Sequence, residues 1–389
     1  MRAGAEMNSS TSDVDVARGT PLLSDQQVIE RIFEHMDNGT TDLGDTVLRA
    51  PVEQYFSQER FDAEIRMLRR LPVPYCPSAA LPEAGSFVAR SAAGTPLVIA
   101  RGNDGTVRAF INSCRHRGMK VANGTGCAKA FTCPYHAWTY NLEGVLKGIP
   151  GRSGFGDLDP AEHGLAEVYA AEKGGIVYVA QEAPIDRAFL DGCIDFFASE
   201  QEIFQQFELV DEANWKLLSE TFQEGYHIKS LHRDSFYPYG LDNTNIVETF
   251  GANSRIIFPF RRIEKLRDVD SAKRTLHGVA TPVYHLFPNV HIAVLSSHTS
   301  MVVLEPVSPT HTQWHVYRLR NLGADGAQIA LEEAQRDASF VSNFGQDEDR
   351  EAARAIQESV ASGANSHFTF GHFEKAIVNF HEHLSRHLD

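Results

Sequence analysis

The sequence predicts an α+β fold, with an all-β unit between a helical N-terminal segment and a mixed C-terminal unit. From about residue 85 to 182, short apolar runs such as PLVIARG and GGIVYVA are broken by glycines, which is typical of a compact all-β unit. From residue 200 to 389, strand-like and helix-like patterns alternate. The chain has 389 residues, of which 42% are hydrophobic, so it can bury a large core and is long enough for two domains.

Two helices are predicted before the all-β unit. Ser24 and Gln27 have the spacing of a capping box, and the apolar residues after them recur at helical intervals. A second helix is expected from about Gln58 to Leu71, because a proline follows immediately. Residues 1–20 are polar, small and unpatterned, so we expect a disordered tail there and assign it no function.

Composition and charge argue against several classes of partner. The formal net charge of −15 opposes binding to nucleic acids or anionic membranes, whose phosphates would repel the chain. The first residues lack the apolar run of a signal peptide, and no window reaches the length of an apolar membrane span. We therefore expect a cytoplasmic protein.

The five cysteines are scattered and odd in number, so metal binding or catalysis explains a clustered pair better than a disulfide framework does.

Two short stretches, CRHRG and CPYHAW, each place one cysteine near one histidine. They supply Cys114 and His116 in the first case and Cys133 and His136 in the second. On adjacent hairpin loops the four side chains would converge. Two thiolates and two imidazoles can bind a tetrahedral zinc ion, or a [2Fe–2S] cluster with cysteines on one iron and histidines on the other. Cys127 lies between the two pairs and is assigned to neither.

A second candidate metal site lies in the segment EGYHIKSLH. Glu224 and His227 are three residues apart and would share a helical face, but His227 and His232 would lie about 140° apart on a regular helix. The helix must therefore break or widen near His227 if both imidazoles bind one ion. A carboxylate from elsewhere would balance the charge, and Asp349 is the best candidate, with Asp347 as its main rival. Two histidines and one carboxylate leave a face of the metal open, as in non-haem Fe(II) oxygenases.

These motifs carry a family resemblance. CxHRG followed by CPYHxW resembles the Rieske iron–sulfur domain, whereas zinc sites more often show paired cysteines as CxxC. The block NWK…ExYHxxxxH, followed by LFPN and by EDxxxxxxxQ, resembles the large subunit of Rieske non-haem iron oxygenases, also called aromatic-ring-hydroxylating oxygenases. The resemblance extends from about residue 50 to the C-terminus, with the motifs in the family's order.

The resemblance implies a division of the chain and a fold for each part. It implies N-terminal helices at 21–75 that pack on the catalytic domain, an all-β Rieske [2Fe–2S] domain at 76–182, and a catalytic mononuclear iron domain at 183–389. The catalytic domain is expected to be helix-grip-like, with an antiparallel sheet around a long helix.

The resemblance also implies roles for particular residues. Cys114 and Cys133 would hold one iron of the cluster, and His116 and His136 would hold the other. His227, His232 and Asp349 would bind the mononuclear Fe(II), and the spacing from Asp349 to Gln357 is that of the family. Glu224 would connect the two centres between neighbouring subunits of a homotrimer, by accepting a hydrogen bond from His136 of the next chain.

The function implied is that of a terminal oxygenase. It would use O2, and electrons from NAD(P)H through a separate reductase or ferredoxin, to hydroxylate or demethylate an organic substrate, with an aromatic one preferred. The chain has no GxGxxG at a strand-to-helix turn, so flavin and nicotinamide are expected on another protein. Two alternatives from other classes are an electron-transfer protein without oxygenase activity and a zinc-stabilised binding module.

Some residues near the motifs receive weaker interpretations. His285, His291, His298, His367 and His372 are expected on the surfaces of strands or helices. Ala137 stands where the family often has glycine, which predicts a backbone conformation that tolerates a Cβ atom. Three apolar side chains close to the iron motifs are expected in the core or in the substrate pocket: Phe222, Ile228 and Phe344.

Overall fold

The structure is a computed structural model, and it describes residues 22–342 and 346–388. The predicted tail at residues 1–20 lies outside the described residues. Within these ranges the α-helices are α1 (Asp25–Asn38), α2 (Gln58–Arg70), α3 (Arg187–Asp191), α4 (Trp215–Glu220), α5 (Ile228–Leu231), α6 (Leu331–Val341), α7 (Asp347–Val360) and α8 (Lys375–Leu388). None of these described helices is both long enough and apolar enough to cross a membrane.

The first strands build an all-β region, as the glycine-broken apolar runs predict. Its strands, together with β1 before it, are β1 (Leu48–Pro51), β2 (Val73–Pro77), β3 (Ser86–Ala92), β4 (Thr95–Arg101), β5 (Val107–Ile111), β6 (Gly124–Cys127), β7 (Phe131–Thr132), β8 (Thr139–Tyr140), β9 (Leu146–Gly148), β10 (Glu167–Lys173) and β11 (Ile176–Ala180). Seven of them form an antiparallel sheet in the order β2, β11, β10, β5, β4, β3, β6, and β7, β8 and β9 form a small second sheet. The predicted hairpin turn between β8 and β9 closes with a hydrogen bond from Gly144 N to Asn141 O.

The later strands form the second large sheet, except for β19, which lies outside it. They are β12 (Ile203–Asp211), β13 (Ile246–Phe250), β14 (Asn253–Pro259), β15 (Ala280–Leu286), β16 (Val290–Val294), β17 (His298–Ser308), β18 (His311–Arg320) and β19 (His367–Phe370). The sheet order is β12, β18, β17, β16, β15, β14, β13, with antiparallel pairing throughout, while β19 pairs with β1. Helix α8 packs on this sheet, with Ala376 against Val247 and Ile256. The predicted α+β fold with an antiparallel sheet around a long helix is confirmed.

The N-terminal helices pack on the second sheet. Helix α1 begins at the predicted capping box, in which Ser24 Oγ accepts from Gln27 N and Gln27 Oε1 accepts from Ser24 N. Its apolar face packs against Ile246 and Ile257 of β13 and β14. Helix α2 ends at Arg70, one residue before the predicted end.

A buried ion pair connects α2 with α4. Lys216 Nζ lies 2.7 Å from Glu64 Oε1, and both side chains are fully buried. Trp215 Nε1 donates to the second oxygen of Glu64 at 2.8 Å. The carboxylate therefore fixes the start of α4, which precedes the candidate iron ligands in the chain.

The two large sheets meet around Glu305 of β17. The Ala93 N–H, in the turn between β3 and β4, donates to Glu305 Oε1 at 2.6 Å. The Arg90 guanidinium lies 3.9 Å from Glu305 Oε2 and stacks over the Tyr75 ring. Burial raises the pKa of Glu305 to about 7, although Arg90 and backbone hydrogen bonds lower it. The contact between the sheets thus includes a carboxyl group that titrates near neutral pH.

Candidate metal centres

The loops CRHRG and CPYHAW have the same backbone hydrogen-bond pattern. Gly118 N donates to Cys114 O at 2.8 Å, and Ala137 N donates to Cys133 O at 2.9 Å. Cys114 N donates to Met119 O at 2.9 Å, and Cys133 N donates to Trp138 O at 2.8 Å. Gly118 and Ala137 have φ values of +78° and +55°. Two matching turns therefore present the two cysteine–histidine pairs side by side.

The backbone at Ala137 contradicts the sequence-based expectation. Its φ of +55° lies in the left-handed region, which a Cβ atom disfavours and glycine tolerates. The turn that closes on Cys133 requires this conformation, whatever residue occupies the position. Ala137 therefore carries backbone strain that a glycine at this position would avoid.

The side chains of the two loops separate into a buried pair and an outer pair. Cys114 and Cys133 are buried, each with 3% of its surface exposed, whereas His136 is exposed. The rings of His116 and His136 lie 4.6 Å apart between centroids, and His116 stacks on the buried Trp138 at 5.0 Å. Buried thiols below and adjacent imidazoles at the surface match the donor set of a cluster with cysteines on one iron and histidines on the other.

Tyr140 provides a further polar contact to this group. Its hydroxyl lies 3.3 Å from Cys114 Sγ and accepts a hydrogen bond from Arg115 N at 2.9 Å. Because the hydroxyl accepts from the backbone, its own proton is free to point at the sulfur. Burial and the neighbouring Cys114 raise the pKa of Tyr140, so the hydroxyl keeps its proton.

The second candidate site lies where the helical pattern is interrupted. Helix α4 ends at Glu220, and α5 (Ile228–Leu231) forms a single turn with His227 and His232 immediately at its two ends. The predicted break near His227 is confirmed. Glu224 lies in the irregular segment before α5, so its contact with His227 comes from a turn and not from a shared helical face. The two imidazole rings lie 5.0 Å apart between centroids.

Asp349, in the first turn of α7, lies beside both histidines. Its Oδ1 is 3.0 Å from His232 Nε2 and 3.4 Å from His227 Nε2. This oxygen is buried, and among the described residues it has no hydrogen-bond partner. One ligand atom from each of the three residues falls within 4.8 Å of the others. A buried carboxylate oxygen between two imidazole nitrogens, without hydrogen-bond geometry to either, fits three ligands directed at a common ion.

The rival carboxylate occupies a different environment. Asp347 is 66% exposed and pairs with Arg350 at 3.0 Å. Arg350 and Arg354 also bind Asp211 at the end of β12, at 2.7 Å and 3.0 Å. These contacts fix the first turns of α7 and direct Asp349, not Asp347, towards the histidines.

Gln357, which forms part of the EDxxxxxxxQ motif, holds the C-terminal part of α7. Its side-chain oxygen accepts from Asn214 N at 2.8 Å, and its amide nitrogen donates to Tyr55 O at 3.3 Å. Asn214 is the N-cap of α4. The glutamine therefore joins the helix that carries Asp349 to the helix that precedes the histidines.

The outer nitrogen of each histidine is held by a glutamate. His227 Nδ1 hydrogen-bonds to Glu224 Oε1, and His232 Nδ1 lies 2.7 Å from Glu348 Oε2. Ser235 Oγ donates to the same oxygen of Glu348 at 2.5 Å. A carboxylate on Nδ1 keeps the proton there and leaves the Nε2 lone pair for a metal.

The same neighbours control the charge of the imidazoles. Burial lowers the pKa of His227, but the close approach of Asp349 and the hydrogen bond to Glu224 outweigh it and raise the pKa to about 10. The pKa of His232 is raised as well, against burial, by Asp349 and Glu348. The excess negative charge around the pair would be balanced by a divalent cation.

Sequence reasoning missed Glu348 and Ser235 as members of this site. Glu348 is the first residue of the EDxxxxxxxQ motif, and its position beside Asp349 in that motif is the signal that could have found it. Ser235 follows His232 by three residues, in a turn that the helical pattern did not predict.

A cavity of about 610 Å³ opens beside the three candidate ligands, and His227, His232 and Asp349 form part of its wall. The rest of the wall is mainly apolar, and both Phe222 and Ile228 contribute to it, as the sequence suggested. The third apolar residue proposed there, Phe344, lies outside the described residues.

The prediction for the other histidines was wrong in part. His367 and His372 are exposed, as expected. His285, His291 and His298 are instead buried, with exposures of 1%, 1% and 0%. They lie in strands of the second sheet on the face covered by helices, and polar partners allow their burial.

Two protein-family models match the chain at these two places. The Rieske [2Fe–2S] domain matches residues 72–163, and the catalytic domain of the ring hydroxylating alpha subunit matches residues 200–389. The class defined by fold and motifs is thus a Rieske domain joined to an alpha-subunit catalytic domain.

Relatives of known name agree with this class. The glycine betaine monooxygenase oxygenase subunit of Chromohalobacter salexigens is 33% identical over 159 residues, covering 39% of this chain and 36% of the relative. The anthranilate 1,2-dioxygenase large subunit of Burkholderia cepacia is 31% identical over 209 residues, covering 47% and 48%. The aligned part thus spans about half or less of these relatives. The chain belongs to the Rieske non-haem iron oxygenase family as an alpha subunit, and its cofactors are a Rieske [2Fe–2S] cluster and a mononuclear iron.

Solved structures share the fold. A crystal structure of the quaternary ammonium Rieske monooxygenase CntA superposes with a TM-score of 0.75 at 20% identity, covering 88% of this chain and 96% of that one. Naphthalene 1,2-dioxygenase from Rhodococcus sp. superposes with a TM-score of 0.72 at 17% identity, covering 93% and 98%. At these identities the similarity concerns the fold alone.

Proposed function

We propose that this chain is the terminal oxygenase component of a multicomponent Rieske oxygenase. The observation that carries the proposal is the convergence of His227, His232 and Asp349 on the wall of a large apolar cavity. Such a cavity can exclude water from an organic substrate and hold it against a metal with an open face. Iron bound there would supply the activation of O2.

Each motif residue has a role in this proposal. Cys114 and Cys133 hold one iron of the cluster, and His116 and His136 hold the other, nearer the surface. His227, His232 and Asp349 hold the mononuclear iron, while Glu224 and Glu348 keep the protons of the histidines on Nδ1. The wall of the cavity orients the substrate.

Electrons would come from NAD(P)H through a separate reductase or ferredoxin. Within the oxygenase they would cross between neighbouring chains of a homotrimer, where Glu224 of one chain meets His136 of the next. Two exposed surfaces support this arrangement. Tyr226, two residues after Glu224, is 60% exposed and packs against Phe373, and Tyr135, beside His136, is 54% exposed. Both surfaces offer aromatic rings next to the groups that would exchange the electron.

The reaction is the hydroxylation or demethylation of an organic molecule, with an aromatic one favoured. The relatives named above include oxygenases for glycine betaine and for anthranilate, so the family alone leaves the substrate open. The mainly apolar wall of this cavity supports a substrate with a hydrophobic body.

The experiment that tests this function combines iron loading with isotope labelling. The chain, loaded with both cofactors, is supplied with NADH, a surrogate reductase, 18O2 and a panel of aromatic, N-methyl, O-methyl and quaternary ammonium compounds. We expect one class to yield a product that contains 18O, and His227→Ala to make none while keeping the Rieske absorption spectrum. If the fully loaded wild-type chain passes electrons to artificial acceptors but labels no compound, the alternative of an electron-transfer protein is favoured.

A further inference from the structure

Two strands of the second sheet, β16 and β17, form a polar patch in the mainly apolar floor of the cavity. His291 in β16 is paired with Val302 in β17, and Ala293 with Ser300, so these four side chains lie on one face of the sheet. All four line the cavity. Within residues 22–342 and 346–388, two buried polar atoms of this patch have no hydrogen-bond partner, namely His291 Nδ1 and Ser300 Oγ.

Hydrogen bonds with α4 and the segment after it determine which nitrogen of His291 carries the proton. His291 Nε2 lies 2.9 Å from Ser219 Oγ, and Gln223 Nε2 donates to the same hydroxyl oxygen at 3.1 Å. An amide nitrogen only donates, so among the contacts of Ser219 Oγ only His291 Nε2 can accept the hydroxyl proton. His291 Nε2 is therefore the acceptor, and the proton of the neutral ring is on Nδ1.

The charge state and surroundings of the ring are consistent with this tautomer. Burial, and the neighbouring His285, lower the pKa of His291 well below its ordinary value, so the ring is neutral. Phe222 stacks on the imidazole at 4.5 Å and His285 at 5.0 Å, so the ring edge is the part left to face the cavity. A buried N–H without a partner costs free energy, and a substrate oxygen placed against it would recover that cost.

We propose that His291 is a specificity residue that donates a hydrogen bond from Nδ1 to an oxygen acceptor of the substrate. The proposal rests on the proposed function and narrows its substrate to an uncharged or anionic ring compound with such an oxygen, in preference to a quaternary ammonium compound. An N–H edge attracts an oxygen lone pair and repels a cation.

The other charged groups of the cavity support the same choice. The carboxylates in its described wall are Asp337 and Asp349. Asp337 accepts hydrogen bonds from Ser297 N at 3.0 Å and His298 Nδ1 at 3.1 Å, and Asp349 lies between the candidate iron ligands. Arg261 and Arg262 add positive charge to the wall. Both carboxylates of the described wall are therefore engaged already, so neither is left to pair with a desolvated trimethylammonium group.

The test measures binding to the cofactor-loaded protein by equilibrium dialysis, with two pairs of ligands of matched shape. Acetophenone and α-methylstyrene differ by an oxygen in place of a CH2 group. Phenyltrimethylammonium and tert-butylbenzene differ by a positive charge. The quantity compared between variants is the ratio of Kd values within each pair, which cancels general changes in the cavity.

The variants separate the donor from the bulk of the side chain. In His291→Leu, the Kd of acetophenone should rise relative to that of α-methylstyrene by about fivefold to tenfold. His291→Asn, whose amide nitrogen can take the place of Nδ1, should stay within about twofold of the wild-type ratio. Ser219→Ala keeps the imidazole but removes the hydroxyl that fixes its proton on Nδ1. The Kd of acetophenone relative to α-methylstyrene should therefore rise by a smaller factor than in His291→Leu. His315→Leu, which removes a buried histidine outside the cavity wall, is the matched control and should leave the ratio unchanged.

The second pair distinguishes a donor from other roles of the ring. Removing an N–H donor should leave the relative binding of the cation unchanged or improve it. If His291→Leu instead weakens the binding of phenyltrimethylammonium relative to tert-butylbenzene, the proposal is wrong. It is also wrong if the Kd ratio of acetophenone to α-methylstyrene is unchanged. Absence of saturable binding by both members of the first pair also contradicts it. These binding measurements need no turnover, so they test the role of His291 alone. The proposed function is tested separately, by whether the loaded chain forms a product labelled with 18O.

Discussion

His227 and His232 lie at opposite ends of the one-turn helix α5, and their Nε2 atoms approach the same oxygen of Asp349, at 3.4 Å and 3.0 Å. The arrangement is symmetric on the outer side as well, because each Nδ1 is bound by a glutamate. A regular helix would direct the two rings about 140° apart, so the break between α4 and α5 is what allows them to converge. The site therefore depends on residues that hold this irregular segment and α7 in place.

Glu348 is expected to control iron affinity without binding iron. Glu348→Ala removes the acceptor for His232 Nδ1, so the ring loses its fixed orientation and tautomer. We expect the affinity for Fe(II) to fall by about 10- to 100-fold, measured by competition with a chelator. Glu351→Ala, an exposed glutamate of the same helix, is the matched control. Equal affinities in the two variants would show that the contact has no influence on the metal.

Glu224→Gln should separate metal binding from electron transfer. The amide oxygen can still accept from His227, so both cofactors should load normally and the reductase should still reduce the cluster. Oxidation of the cluster in a single turnover, with substrate and O2 present, should slow by orders of magnitude if Glu224 connects neighbouring chains. Stopped-flow absorption of the cluster gives this rate. A wild-type rate in the variant, or a dilute wild-type monomer that remains active, would rule out the bridge.

The buried pair of Glu64 and Lys216 should be important for stability. Glu64→Ala leaves the Lys216 ammonium buried without its partner, and it also removes the acceptor for Trp215 Nε1. We expect the free energy of unfolding to fall by about 3–5 kcal/mol. Urea unfolding at neutral pH, with Glu59→Ala on the exposed face of the same helix as control, measures the change.

A double replacement checks the cause of that loss. Replacing Glu64 and Lys216 together by methionine removes both charges from the core, so it should restore much of the stability lost in Glu64→Ala. A double variant as unstable as the single one would mean that the loss comes from packing or from Trp215.

Glu305 should make the stability depend on pH. Burial raises its pKa in the folded chain from an ordinary 4.5 to about 7, so folding favours the protonated form. The stabilisation is complete below pH 4.5 and is lost as the pH rises through 7. Relative to Glu305→Gln, the wild type should therefore lose up to about 3 kcal/mol between pH 4.5 and pH 8. Unfolding midpoints across this range test the difference, with the exposed Glu202→Gln as control. Parallel pH profiles for wild type and Glu305→Gln would contradict the assignment.

The sequence predicts the parts of this molecule that depend on local chemistry. The capping box at Ser24 and the candidate ligands at Cys114, His227 and Asp349 can be recognised because residue type and spacing carry the information. The break before α5 follows from geometry alone, since two ligands five residues apart cannot share a helical face.

The parts that the sequence does not predict depend on tertiary contacts. His291 alternates with apolar neighbours as a surface strand residue would, and only Ser219 and Phe222, which come from another element, allow its burial. Glu348 becomes a partner of His232 only through the placement of α7 by Asp211. The left-handed φ of Ala137 is imposed by the turn around Cys133, against the preference of the residue itself.

The iron proposed at His227, His232 and Asp349 is separate from the cluster. The most direct test is the metal content of Asp349→Ala and Asp347→Ala, measured as iron per chain beside the Rieske absorption and EPR spectra. We expect Asp349→Ala to lose the mononuclear iron and keep the cluster signal, and Asp347→Ala to retain both, because only Asp349 lies between the histidines. Full iron content in Asp349→Ala together with its loss in Asp347→Ala would contradict this account.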